Sequence, residues 1–331
     1  MGRRVAIAGV ALSGMPGSPE ATPYALHAQA SRAALFESGL KPSDIDGFAS
    51  AGLGALQPLD VAEYMGLRPR WVDSTGVGGA TWEVMAAHAA DAIAQGRADV
   101  VLLSYGSTAR TDLRKKLRTA NLDWGTRGPQ QFEAPFGHTL IAKYAMAARR
   151  HMHEYGTTLE QLAEIAVSAR YNASLTPFAS FRELIDIATV LDGPMIADPF
   201  TKLQCCIRSD GGAAVVMVAE DRVPDLDVKP VWVLGSAEAG SHVAMSQWED
   251  FTVSPAAMTG PAAERSTSGT NLNESGVPLL IRSTIRRSPA VRRVCAKAPP
   301  ERAVSRGIII RARDESFIRF PSTSVRTISA V

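Results

Sequence analysis

A glycine-rich turn at residues 75–80, between a short apolar strand and a helical pattern, is a candidate binding site. Backbone N–H groups at a helix N-terminus can hydrogen-bond a phosphate or carbonyl oxygen, and glycine permits close approach of a ligand. The same residues, Gly76, Gly78 and Gly79, are also typical of a tight turn with close helix packing. Their spacing, G-x-G-G, differs from the dinucleotide fingerprint, which disfavours a nucleotide-dependent oxidoreductase.

Other side chains with suitable chemistry have weaker patterns. His138 precedes a predicted helix and can act as an acid–base or ligand-contact residue, with a local hydrogen bond as the simpler interpretation. His151 and His153 are two residues apart, so a helix directs them apart and they form no metal pair. Cys205 and Cys206, predicted to lie on a strand and face opposite ways, are interpreted as buried structural thiols. No metal site is predicted.

Two charged features are also candidates. Arg149 and Arg150 can contact phosphate groups, because a guanidinium offers a planar set of donors, while a solvated helix face is the alternative. Asp210 opens a Ser-Asp-Gly-Gly segment. We expect it to set the turn before a strand rather than to act in catalysis.

The elements around the glycine-rich turn form a βαβ pattern. Residues 71–74 are predicted to be a strand, residues 82–95 a helix, and residues 99–106 a continuous apolar strand buried on both faces. The segment 110–199 is mostly helical and interrupts the sheet. Further strands are predicted at residues 5–11, 209–218 and 230–235, and further helices at 24–39, 60–66, 139–154 and 159–170. The fold class is therefore α/β.

Composition restricts the class of protein. The chain has 331 residues, 46% of them hydrophobic, which is enough for a large core or two packed domains. Its apolar runs are strand-sized, so neither a membrane span nor a signal peptide is expected. Three cysteines provide no disulfide framework, and the predicted compartment is a reducing cytoplasm.

Charge divides the chain unevenly. Residues 264–331 contain 13 basic and 5 acidic side chains, a net charge of +8, whereas residues 1–263 contain 22 and 28, a net charge of −6. The basic segment is rich in Arg and Ser and lacks interleaved aromatic residues, so nucleic-acid binding is not predicted. We interpret it as a tail that is disordered or translated from a displaced reading frame.

Several segments together resemble thiolases of the sterol-carrier/lipid-transfer-protein-like branch, which are acetyl-CoA acetyltransferase-like. They are the Ala-Gly-Val-Ala first strand and the segments 38–47, 72–95, 142–158 and 209–214. Their order and spacing carry the resemblance over roughly residues 1–260. It implies a thiolase-like fold of αβαβα layers, with coenzyme A bound along a helical loop domain.

The resemblance also implies where a nucleophile belongs. In this family a cysteine at a helix N-terminus takes the acyl group from a coenzyme A thioester, in a pattern like V-x-x-x-C-x-[ST]-G. Here Gly76 occupies the cysteine position. Ser74 or Thr75 is an alternative nucleophile, but no adjacent histidine is apparent in the sequence. Relatives without the cysteine break a carbon–carbon bond of a β-hydroxyacyl-CoA instead, which implies retro-aldol chemistry.

By resemblance the chain acts on acyl-CoA thioesters of steroid or branched-chain acyl groups, in lipid metabolism or steroid degradation, without a covalently bound cofactor. The alternative is a non-catalytic acyl-CoA-binding or scaffold subunit with a small zinc-ribbon/OB-fold partner. A homodimer is expected in either case. The family's second catalytic set lies in its C-terminal half, but this chain has no histidine after His242 and no tyrosine after Tyr171, so an inactive chain is the alternative that stays open.

The predicted domain division follows from these segments. Residues 1–109 and 200–229 form the N-terminal α/β half, and residues 110–199 the helical loop domain. Residues 230–263 begin a C-terminal half that is truncated or aberrant, and residues 264–331 form the basic tail.

Overall fold

The computed structural model describes residues 2–14, 21–51, 56–115, 128–136, 139–238, 240, 244–248, 250–252 and 309–311. The strands are β1 (Val5–Ser13), β2 (Gly47–Ala49), β3 (Trp71–Asp73), β4 (Val100–Ser107), β5 (Met195–Ala197), β6 (Phe200–Thr201), β7 (Gly211–Ala219), β8 (Val231–Gly235) and β9 (Ile309–Arg311). The helices are α1 (Pro23–Ser38), α2 (Leu59–Tyr64), α3 (Thr81–Ala94), α4 (Ala109–Arg114), α5 (Leu140–Tyr155), α6 (Leu159–Ser174) and α7 (Ile187–Leu191). The helices and strands predicted from the sequence are confirmed to within a few residues.

Seven strands form one mixed sheet in the order β3-β2-β4-β7-β1-β8-β9. Strand β2 is parallel to both β3 and β4, while β7 is antiparallel to β4 and β1. The predicted βαβ unit is therefore confirmed, with β2 between its two strands. Strand β8 pairs antiparallel with β1, and β9 pairs with β8.

Alternate side chains of the central strands enter two separate cores. Val100 and Leu102 pack in the core under α1, whereas Val101 and Leu103 pack in the core under α3. Successive strand residues point to opposite faces, so α1 and α3 cover the two faces of the sheet. Each fully buried side chain of this size stabilises the fold by about 2 kcal/mol relative to exposure.

Helix α1 packs directly on β1 because Gly9 has no side chain. A Cβ atom at Gly9 would lie 2.2 Å from the carbonyl oxygen of Ala34. The helix begins where Thr22 Oγ1 accepts a hydrogen bond from Ala25 N–H at 3.2 Å, and it ends at Gly39, whose φ is 76°. These are the capping residues expected at the two ends of a helix.

One carboxylate, Asp46, joins the amino-terminal ends of the three parallel strands. It accepts hydrogen bonds from Asp99 N–H and Val100 N–H, both at 2.9 Å to Oδ1, and its Oδ2 pairs with Arg70 Nη2 at 2.8 Å. Arg70 precedes β3, while Asp99 and Val100 begin β4. The register of the strands that lead to the glycine-rich turn is thereby fixed at their start.

The segment between β4 and β7 contains α5 and α6, as predicted for a helical loop domain, and the small β5–β6 hairpin. Thr158 caps α6 in a reciprocal hydrogen-bond pair with Gln161. Strand β8 lies in the same sheet, beside β1, and its assignment to the start of a C-terminal half stays a prediction. Of residues 264–331, the described part is β9. No helix within the described ranges is long and apolar enough to cross a membrane.

His27 of α1 is completely buried against the sheet. Its Nδ1 lies 2.8 Å from Ser104 Oγ of β4. Burial lowers the pKa of His27 to about 4, because the apolar surroundings disfavour the imidazolium. The folded protein therefore keeps this side chain neutral at pH values where an unfolded histidine is already protonated.

We expect the stability to fall as the pH drops from about 6.5 towards 4, because the unfolded chain then binds a proton that folded His27 does not. One such proton changes the free energy of unfolding by about 1.4 kcal/mol per pH unit. Urea unfolding at pH 6.5 and pH 5 should show a loss about 1.5 kcal/mol larger for the native protein than for His27→Asn. Equal losses would contradict this assignment.

Candidate functional site

The turn that follows β3 is anchored at both ends by side chains. Asp73 Oδ1 accepts hydrogen bonds from Thr75 N–H at 3.0 Å and from Thr75 Oγ1 at 2.8 Å. At the other end, Val77 N–H donates to Thr81 Oγ1 at 3.0 Å, in the first residue of α3. Gly76 lies between the two anchored ends, so its place in the turn is set by its neighbours.

Gly76 and Gly78 differ in their need for glycine. Gly78 has a φ of +82°, in the left-handed region that L side chains rarely adopt, whereas Gly76 is outside that region. A Cβ atom at either position would have no heavy atom within 4 Å. The tight turn is therefore confirmed at Gly78, but close helix packing at these two residues was the wrong interpretation. The binding of a carbonyl or phosphate oxygen by the backbone N–H groups of this turn stays a prediction.

A histidine that was not apparent as a neighbour in the sequence lies close to Thr75. His88 Nδ1 is 2.7 Å from Asp73 Oδ2 and 3.5 Å from Thr75 Oγ1. Helix α3 runs back along the sheet, so a residue two turns inside it lies beside the end of β3. One sequence signal could have indicated this contact. A histidine follows 15 residues after the aspartate that ends a strand, within a βαβ unit.

The Asp73–His88 pair shifts the pKa of both groups. Burial raises the pKa of Asp73, but the hydrogen bonds from His88 and Thr75 outweigh burial and leave it below 3.8. Burial lowers the pKa of His88, but the hydrogen bond and charge of Asp73, together with Glu238, outweigh burial and leave it above 6.5. His88 Nε2 lies 3.6 Å from Glu238 Oε2. Two carboxylates thus favour the imidazolium.

This geometry argues against Thr75 as a nucleophile. Its hydroxyl donates to Asp73, and the imidazolium form of His88 has no free lone pair with which to accept the hydroxyl proton. Ser74, the other alternative, is exposed. Asp73 and His88 instead form an acid–base pair. The pair contacts the turn through the hydrogen bonds that Asp73 accepts from Thr75.

A shallow pocket of about 290 Å³ opens beside this pair and is lined in part by β3. It is lined by Trp71, Val72, Asp73, His88, Asp91, Gln95 and Arg97. Its polar residues carry both signs of charge. Within the described ranges, no group of three or more His, Cys, Asp or Glu side chains is placed to hold a metal ion.

Comparisons with known proteins identify the family. The acetyl-CoA acetyltransferase of Methanothermobacter thermautotrophicus is 34% identical over 233 residues, which are 68% of this chain and 59% of that protein. A steroid side-chain-cleaving aldolase of Thermomonospora curvata is 32% identical over 243 residues, or 72% and 62% of the two chains. The solved Ltp2-ChsH2(DUF35) aldolase superposes with a TM-score of 0.71 at 28% identity, over 83% of this chain and 72% of that one.

The chain belongs to the thiolase superfamily. Its fold is the thiolase-like α/β fold of the sterol-carrier-protein-2-like branch, which confirms the resemblance seen in the sequence. No family model matches the chain. The chain spans about three fifths of the length of the two curated relatives.

Both arginines predicted to bind phosphate lie on α5 of this thiolase-superfamily chain, in the segment between β4 and β7. Arg149 pairs with Asp198, with Nε 2.6 Å from Oδ2, and Arg150 pairs with Glu154 one turn along the helix. Both pairs are largely exposed. A bound phosphate would therefore compete with these carboxylates. His138 lies outside the described residues.

The adjacent cysteines differ from their predicted placement. Cys205 is half-buried and Cys206 is exposed, and they follow a short 3₁₀ helix rather than lie on a strand, so their assignment as buried structural thiols is wrong. Burial, with the neighbouring Cys206, raises the pKa of Cys205, which disfavours a thiolate. Asp210 has a structural role at α4, where it accepts hydrogen bonds from Arg110 N–H and Thr111 N–H.

The two glycines provide a matched pair of variants. Gly78→Ala should lower the free energy of unfolding by about 1 kcal/mol, because alanine is strained at positive φ. Gly76→Ala should change it by less than about 0.5 kcal/mol, since neither its φ nor its surroundings exclude a side chain. Urea unfolding of both variants measures the difference. The reverse order would contradict the geometry of the turn.

Proposed function

We propose that this chain carries the N-terminal part of a thiolase-fold enzyme that breaks a carbon–carbon bond of a β-hydroxyacyl-CoA. The observation that carries the proposal is Gly76, which stands where the family pattern predicts the nucleophilic cysteine. Glycine offers no group that can attack a thioester, so an acyl-enzyme cannot form at that position. The named activity of the Thermomonospora curvata relative, an aldolase, supports cleavage without a thiol.

Retro-aldol cleavage needs only proton transfer and stabilisation of an enolate. A general base removes the proton of the β-hydroxyl group, and the bond between Cα and Cβ breaks. The products are a carbonyl compound and the enolate of the shortened acyl-CoA, which then takes a proton at Cα. Hydrogen-bond donors directed at the thioester oxygen lower the barrier because negative charge develops there.

The start of α3 is suited to binding the thioester oxygen. Gly76, Gly78 and Gly79 are exposed, and their peptide groups lie at the N-terminus of a 14-residue helix. A helix N-terminus carries a partial positive charge and favours an oxygen that becomes negative. In this proposal Arg149 and Arg150 exchange their carboxylate partners for the phosphates of coenzyme A.

We further propose a cytoplasmic homodimer that also binds a small zinc-ribbon/OB-fold protein. Among the described residues, β3 pairs through one side only, with β2, so its other edge is available to a second chain. The similar Ltp2-ChsH2(DUF35) aldolase is named as a complex, which supports a protein partner here. Light scattering of the chain alone and with such a partner measures both associations.

The reaction can be tested by incubating the purified chain with acetoacetyl-CoA and coenzyme A, and separately with a β-hydroxyacyl-CoA. We expect release of a carbonyl product from the second substrate and no thiolysis of the first. Thiolysis at an ordinary thiolase rate would overturn the proposal. Lack of turnover, together with a coenzyme A-dependent rise in melting temperature, would favour a non-catalytic binding subunit instead.

Replacement of the α5 arginines tests the binding of coenzyme A. Arg149→Ala and Arg150→Ala should each raise the Kd for coenzyme A about tenfold, because each removes a charge-assisted hydrogen bond worth about 1.5 kcal/mol. Calorimetric titration gives the Kd values, and the exposed Arg68→Ala serves as the control. An unchanged Kd in both variants would show that α5 does not bind the phosphates.

A further inference from the structure

His88 connects three parts of the chain that are distant in sequence. It lies on α3, its Nδ1 contacts Asp73 at the end of β3, and its Nε2 faces Glu238 in the segment after β8. The Asp73 side chain is 15% exposed and that of His88 35%, so solvent screens the pair only in part. Among the described residues, the charged Asp91 and Arg97 line the same pocket as the ring.

Asp73 transmits this contact to the turn. One of its carboxylate oxygens binds His88, and the other binds both the N–H and the hydroxyl group of Thr75. A carboxylate held on both oxygens cannot rotate without breaking one set of hydrogen bonds. Because Thr75 precedes Gly76, the direction of the Gly76 peptide depends on how Asp73 is held.

We propose that His88 is a positioning residue, which holds Asp73 and through it the turn at Gly76 in the conformation that binds the thioester. The inference rests on the proposed function for its catalytic consequence. The structural consequence is separate: without His88, the amides of residues 74–77 should lose protection from exchange. Asp73 accepts hydrogen bonds from both the N–H and the hydroxyl group of Thr75, so the start of the turn depends on this carboxylate.

The first experiment compares His88→Ala with His88→Asn. Asparagine places an amide N–H close to the position of Nδ1 but carries no charge and does not titrate. We expect kcat for the β-hydroxyacyl-CoA to fall at least tenfold in His88→Ala with KM little changed, and to recover partly in His88→Asn. The exposed His153→Asn is the control and should leave kcat unchanged. Unchanged kcat in a folded His88→Ala protein would overturn the proposal.

The pH profile separates positioning from simple stability. The ion pair is lost as the pH rises through the raised pKa of His88, so kcat/KM of the native protein should fall above that pH. The alkaline limb should disappear in His88→Asn, although the variant has the same fold. A profile identical in both proteins would contradict a role for the charge of His88.

A readout without substrate keeps the inference testable if the proposed reaction fails. Proton NMR of the His88 Cε1–H should show a raised pKa that returns towards 6.5 in Asp73→Asn and shifts less in Glu238→Gln, whose carboxylate is more distant. Amide exchange of residues 74–77 should be faster in His88→Ala than in the native protein. An ordinary His88 pKa and unchanged exchange rates would overturn the inference whatever the activity.

Discussion

The alignment of three short parallel strands by the Asp46 carboxylate is the constraint on which the site depends. Asp46 binds the backbone at the start of β4 and the guanidinium of Arg70 at the start of β3. With their starts held, β2 and β3 end side by side, where Ala49 pairs with Asp73, and β4 continues beyond them. There Ser50 N–H donates to the Asp73 carbonyl oxygen at 3.1 Å, and the chain turns into α3. The glycine-rich turn is therefore presented by a rigid edge rather than by a free loop.

A second carboxylate, that of Asp73, joins several elements in the same way at the opposite end of β3. Asp73 uses one oxygen for Thr75 and the other for His88, and its two sets of contacts join the strand, the turn and the helix. The cost of burying two charged groups is reduced because both stay partly solvated and hydrogen-bonded. The same contacts engage the Thr75 hydroxyl, which donates a hydrogen bond to Asp73.

The open space around Gly76 means that a side chain at this position would not disturb the packing of the fold. The backbone there has an ordinary φ, and no neighbouring atom would contact a Cβ. A side chain at Gly76 would therefore leave the packing of α3 unchanged. That packing depends on residues such as Met85 and Ile93 in the core beneath the helix. Gly78 is different, because its positive φ belongs to the turn itself. A shared fold can then serve acyl transfer in one relative and bond cleavage in another.

The sequence by itself determined the elements and the family. Apolar runs and glycine caps predicted α1, α3, β4 and β7 to within a few residues, because local periodicity and capping depend on neighbours in the chain. Tertiary structure decided what those elements bring together. His88 and Asp73 are 15 residues apart and meet only because α3 folds back along the sheet, while Glu238 arrives from beyond β8. The exposure of Cys206 was also decided by tertiary structure, because burial depends on which elements cover a residue and not on the residue type.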